Sequence, residues 1–248
     1  MNSVFEVFQA TTRRCPDAPF LCVPARAERD YYPQGAEFSY RWMAEHALAA
    51  ARCYAEVGYG PGHRIALLLE NRPAFFVHYL ALNSIGVSIV PVNPDYRHDE
   101  IVYQLEHADA VLAVGISTRL ADLEKASREC PLRPPVIDQS ILPGQNPPRA
   151  LTARRSSTTA PGRDTECAML YTSGTTGRPK GCILSNDYFI TAGEWYRALG
   201  GQRSMDPGRE RVLNPLPLYH MNALAVTATA MMCSGNCLIS PDRFHPKS

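Results

Sequence analysis

Short apolar runs alternate with helical patterns along most of the chain, and few architectures satisfy that rhythm. Ile65 to Leu69, Val87 to Val92, Val111 to Val114 and Val136 to Ile137 are almost wholly apolar and too short for helices. They read as strands buried on both faces. Between them lie segments with helical spacing. Ser39 is positioned to cap a helix reaching about Val57, with Met43, Ala47, Ala50 and Tyr54 on one face and Gly58 just beyond it. Asn71 reads as the cap of a second helix, with Pro73 in its first turn and Gly86 after its end. Ile101, Val102, Leu105 and Ala108 mark a third helix between Asp95 and Ala108, and a fourth falls near Thr118 to Glu129. The pattern predicts an α/β fold with mostly parallel sheets covered by helices.

Residues 139–164 break the rhythm with four prolines and two glycines and read as a long surface loop. Beyond Leu170 the pattern resumes with a helix from Ser185 to about Leu199, a short strand at Arg211 to Asn214, a small-residue helix at Met221 to Met232 and a strand at Cys237 to Ser240. Charge is nearly balanced, 25 basic against 24 acidic residues, which gives no electrostatic footprint for nucleic acid. No apolar run is long enough to span a bilayer and no basic-then-apolar leader opens the chain, so a cytoplasmic protein is expected. The eight cysteines are scattered without CxxC spacing, and Cys233 and Cys237, four apart in apolar sequence, read as reduced, buried thiols.

Tyr171-Thr172-Ser173-Gly174-Thr175-Thr176-Gly177-Arg178-Pro179-Lys180-Gly181 carries the chemistry. It holds three glycines, four hydroxyl side chains besides the tyrosine, two cations and no carboxylate. Such a segment, fed by the apolar run Cys167 to Leu170 and followed by a capped helix, predicts an exposed loop between strand and helix. Glycines let backbone N–H groups approach an anion, hydroxyls donate to phosphate oxygens, and a lysine neutralises charge. It is not a Walker A loop: Gly174 and Gly177 are three apart, and Lys180 is followed by Gly181. That spacing speaks against a P-loop kinase or ATPase.

The string closely resembles the signature loop of the adenylate-forming superfamily, which includes acyl-CoA synthetases, luciferases and peptide-synthetase adenylation domains. Gly62 to Asn71 with Pro73, Gly86 to Pro94 with Tyr96 and Glu100, and Leu216-Pro217-Leu218-Tyr219-His220 resemble further blocks of that family. His63 stands where many relatives carry an acidic residue, expected to be a surface difference of little consequence. The resemblance implies a two-step reaction in which a carboxylate attacks the α-phosphate of MgATP and a thiol such as CoA then displaces AMP. It assigns phosphate binding to Thr172, Ser173, Gly174, Thr175, Thr176, Gly177 and Lys180, and the metal-facing hydroxyl to Thr176. Lys180 and His220 are the implied catalytic residues, with His220 beside the carboxylate. The implied ligands are therefore ATP, Mg2+, CoA and a small carboxylic acid with a hydrophobic portion, in fatty acid metabolism or a related setting.

The resemblance also implies stacked α/β subdomains. Residues 1–60 are the expected lead-in packing on a second subdomain, 61–210 the first subdomain, and 211–248 the start of a truncated second one. The family's blocks for adenine, ribose and the mobile carboxyl-terminal lysine are not found in the sequence. Two functions follow: the amino-terminal half of an acyl-CoA synthetase, or a non-catalytic nucleotide-binding module that keeps only the phosphate loop. An incomplete second sheet would expose an apolar edge near Leu213 to Ser240 and promote self-association.

Overall fold

The computed structural model describes residues 1–140, 147–151, 161–172, 179–201 and 204–242. Two sheets organise it. Strands β1 (Pro19–Val23) and β2 (Ala36–Ser39) join β9 (Arg211–Leu213) and β10 (Cys237–Ile239) in a four-stranded sheet of order β2-β1-β10-β9. A six-stranded sheet has the order β6-β5-β3-β4-β7-β8, built from β3 (Arg64–Leu68), β4 (Ser88–Pro91), β5 (Leu112–Gly115), β6 (Val136–Asp138), β7 (Glu166–Thr172) and β8 (Lys180–Ser185). All its pairings are parallel except that of β7 with β8. The mostly parallel α/β reading of the sequence therefore holds.

Helices α1 (Val4–Arg14), α2 (Tyr40–Glu56), α3 (Pro73–Ser84), α6 (Asn186–Arg197) and α7 (Thr229–Ser234) form a packed group, while α4 (His98–His107) packs with α5 (Leu120–Glu129). Strand alternation shows where α4 lies. Ile89, Ala168 and Leu170 point into the main core, whereas Val90, Met169 and Tyr171 form a smaller cluster with Ala108 and Tyr103 at the α4 end. Phe8, Phe20, Tyr40 and Phe76 meet at centroid distances of 5.0–5.3 Å and tie α1, β1, α2 and α3 together. The Tyr40 hydroxyl donates to the carbonyls of Met231 (2.6 Å) and Asn236 (2.9 Å), fastening the last helix to that cluster. At the amino ends of β3 and β7, Arg64 forms a two-pronged ion pair with Glu166 (2.7 and 2.8 Å), and Ser88 donates to the same carboxylate.

Several local expectations need correction. Ser39 does cap α2, its hydroxyl accepting from Trp42 N–H. Asn71 does not cap α3: Arg72 is the N-cap and gives no side-chain cap bond, because Pro73 at the helix start removes one of the N–H groups needing a partner. The helix after His220 is a π-helix over Asn222–Ala228 that runs into α7. Thr229 donates from its hydroxyl to the Leu224 carbonyl five residues back, consistent with the wider turn. Cys237 is buried as expected, whereas Cys233 is only partly buried. His63 is also not a loose surface residue, since its Nε2 bonds the Leu151 carbonyl at 2.8 Å and its Nδ1 lies 3.1 Å from the Gly60 backbone. Gly86 turns the chain from α3 into β4 at φ +75°, and a Cβ there would stand 2.8 Å from Pro161.

The exposed edge is narrower than expected. Of the two strands in that stretch, β10 lies between β1 and β9, and β9 lies at a sheet edge, with Leu213 59% exposed. No helix among the described residues is long and apolar enough to cross a membrane.

Candidate functional site

Strand order in the six-stranded sheet reverses between β3 and β4: one leads through α3 to its neighbour, the other through α4 across β3 to β5. Beyond the carboxyl ends of parallel strands, such a reversal opens a crevice where ligands bind. Of the residues singled out in the sequence, Thr172 and Lys180 lie at this end of the sheet, and the Leu216–His220 block is tied to it.

β3 exits into Glu70, held at φ 55°, and Asn71. The buried Asn71 amide donates to the carbonyls of Leu216 (3.1 Å) and Pro241 (3.2 Å), and its oxygen accepts from Leu218 N–H (2.9 Å). Asn71 thus fixes the Leu216–His220 block against the end of β3. β4 exits towards Tyr96, where Arg119 bonds the carbonyls of Pro94 and Tyr96. Burial raises the Tyr96 hydroxyl pKa, with Glu100 and Tyr219 adding to it, and Tyr96 in turn acts on Tyr171.

β7 ends at Thr172, and β8 begins at Lys180, which pairs with it across the antiparallel ladder. The expected strand–loop–helix is instead a β-hairpin, with α6 starting only after β8; Ser185 caps that helix by accepting from Tyr188 N–H. Thr172 and Lys180 are both exposed, whereas Tyr171 is buried. Ser173, Gly174, Thr175, Thr176 and Gly177 lie outside the described residues. Among the described residues Lys180 has no ion-pair partner. His220 is exposed at the entry to the π-helix, its ring 4.5 Å from that of Tyr219, and its carbonyl accepts from Leu224 N–H.

Two stem-holding residues escaped the sequence reading. Tyr103 of α4 donates to the Pro179 carbonyl at 2.9 Å, and His107 lies 2.8 Å from the Tyr171 hydroxyl. Their spacing of four places both on one helix face, and that was the available signal. A cavity of about 490 Å³ beside them, lined by Tyr103, Glu106, His107, Asp109, Cys130 and Leu132 among others, lies on the α4–α5 side and holds none of the expected site residues.

Exposed hydroxyl and ammonium groups at the hairpin stems suit the phosphates of ATP. Magnesium finds less: no group of three or more His, Cys, Asp or Glu side chains assembles among the described residues, and Thr176 lies outside them.

This combination of a parallel sheet, a glycine-rich hairpin at its carboxyl edge and a tethered Pro-Leu-Tyr-His block defines an adenylate-forming scaffold. The family model described as AMP-binding enzyme matches residues 8–248, and the chain belongs to that family. It is 30% identical over 232 residues to sulfoacetate–CoA ligase of Cupriavidus necator, an alignment covering 92% of this chain and 43% of that protein. It is 28% identical to peroxisomal OPC-8:0-CoA ligase 1 of Arabidopsis thaliana, over 85% of this chain and 39% of that one. The chain spans less than half the length of these curated relatives. The N-terminal domain of FACL13 from Mycobacterium tuberculosis shares the fold, with a TM-score of 0.77, 22% identity, and coverage of 99% of this chain and 58% of that one.

Proposed function

We propose that this chain supplies the phosphate-binding and carboxylate-facing part of an acyl-CoA ligase. A carboxylate oxygen attacks the α-phosphorus of ATP, the bond to the β-phosphate breaks, and pyrophosphate leaves. The thiol sulfur of CoA then attacks the acyl carbon and AMP departs with the bonding electrons. Lys180 and the hairpin hydroxyls, Thr172 among them, face the β- and γ-phosphates and stabilise charge developing on their oxygens; Thr176 is the residue proposed to face Mg2+. His220 stands beside the acid. Its apolar portion lies against the π-helix that follows, whose Ala223, Leu224 and Ala225 are buried.

The observation that carries this reading is the pairing of Lys180 with Thr172 at the carboxyl end of β7, on the same end of the sheet to which Asn71 fixes the His220 block. A fatty or aromatic acid, a cytoplasmic setting and self-association along β9 complete the proposal. The alternative is a non-catalytic nucleotide-binding module that keeps only the phosphate loop.

Exchange of labelled pyrophosphate into ATP separates the two. Exchange by the 248-residue chain that depends on an added carboxylic acid is expected of the ligase. ATP binding without exchange at any acid tested identifies the module.

A further inference from the structure

We propose that Tyr103 and His107 are positioning residues that set the two stems of the phosphate hairpin. The inference rests on the reading of that hairpin as the ATP site. β8 is the outermost strand of its sheet, and its ladder joins it to β7 alone. An edge strand held on one side drifts more readily than a central one, yet phosphate donors bind tightly only when little ordering is left to do.

α4 supplies the missing restraint on both sides of the loop. The Tyr103 hydroxyl donates to the carbonyl of Pro179, the residue before β8, and His107 shares a 2.8 Å hydrogen bond with Tyr171, the residue before Thr172. The Tyr103 and His107 rings stack at 5.3 Å and 29°, so the two grips are in contact with each other. α4 is itself anchored: the buried Gln104 amide donates to the Pro91 carbonyl at the end of β4, and Glu100 accepts from Arg97 N–H at the helix start.

Two further observations make the hydrogen bonds decisive. The 490 Å³ cavity beside both rings leaves them unwedged on that side, so packing alone does not fix them. Gly181 pairs with Tyr171 across the ladder, and a Cβ there would stand 2.1 Å from the Met169 methyl and 3.2 Å from the Tyr171 ring. The missing side chain lets Tyr171 lie where His107 reaches it.

Tyr103→Phe keeps the ring and removes the donor. With the 248-residue chain, ATP affinity measured by calorimetry should fall about 5-fold, the effect of one lost hydrogen bond, and affinity for inorganic tripolyphosphate should fall by the same factor. The unfolding midpoint should fall only slightly, as expected for the loss of one part-buried hydrogen bond. His107→Gln and Tyr171→Phe remove opposite ends of one bond, so the double variant should lose no more affinity than either single one. Unchanged ATP affinity in Tyr103→Phe, with Lys180→Ala weakened, overturns the clamp and leaves the phosphate site standing. Absence of ATP binding by the parent chain defeats the site itself. Amide exchange at Lys180 and Gly181 then still decides the clamp: faster exchange in Tyr103→Phe supports it, and equal exchange overturns it.

Discussion

Lys180→Ala is expected to weaken ATP binding by about 10- to 100-fold while leaving the unfolding midpoint unchanged. The side chain projects from the first residue of an edge strand into solvent, so its removal opens no cavity. Its ammonium is not committed to a carboxylate among the described residues, and phosphate is its proposed partner. Hydrogen bonds to charged groups contribute about 1.5–3 kcal/mol, and each 1.4 kcal/mol is tenfold in affinity. Two refinements follow from the electrostatic origin. The parent's affinity should fall faster with added salt than the variant's, and Lys180→Arg should recover part of the loss, since charge survives while geometry changes. Equal affinity of Lys180→Ala and the parent in a fluorescence titration would remove Lys180 from the site.

The second large effect concerns acid stability and originates in His78, deep in α3. Its Nε2 lies 2.8 Å from the Gln139 carbonyl, which can only accept, so Nε2 carries the proton. Nδ1 then accepts from the Tyr54 hydroxyl at 2.9 Å. Burial pushes the pKa of His78 down from 6.5 to about 4, outweighing the opposing pull of the Gln139 carbonyl and Asp138. The unfolded chain therefore binds this proton more readily than the folded one. His78 contributes its full share of stability above pH 6.5 and loses it as pH falls towards 4. The loss is on the order of 3 kcal/mol, from 1.36 kcal/mol per pKa unit at a fully buried site. Urea unfolding of the parent should show the midpoint dropping across that window. His78→Gln should be less stable at pH 7 but flatter between pH 6.5 and 4. An equally steep loss in both proteins would place the acid sensitivity elsewhere.

What the sequence disclosed and what it withheld divide along physical lines. Strands β3, β4 and β5 were legible because burial on both faces demands uninterrupted apolar residues, and α2 because Ser39 and its apolar stripe agree. β8 escaped notice: Cys182, Ile183 and Leu184 form too short a run, and as an edge strand it leaves Ile183 52% exposed. Hence a hairpin was taken for a strand–helix junction. Asn71 resembled a helix cap because its neighbours are local, whereas its true partners lie 145–170 residues further on. No spacing rule reaches that far. The π-helix was hidden for a different reason, since alanines and threonines on every side carry no period to read. Lys180 and His220 stand out in the sequence through their motifs alone. The residues that hold the hairpin and the His220 block, Tyr103, His107 and Asn71, make bonds visible only in three dimensions.

Backbone amide resonances of the 248-residue chain, followed during titration with ATP, test the central claim most directly. The expected result is a saturable shift at Tyr171, Thr172 and Lys180 that extends to Asn71, Tyr96 and His220, at the carboxyl ends of β3, β4 and β7. Shifts confined to the α4–α5 cavity, from Glu106 to Leu132, or no shifts at all, would contradict the account.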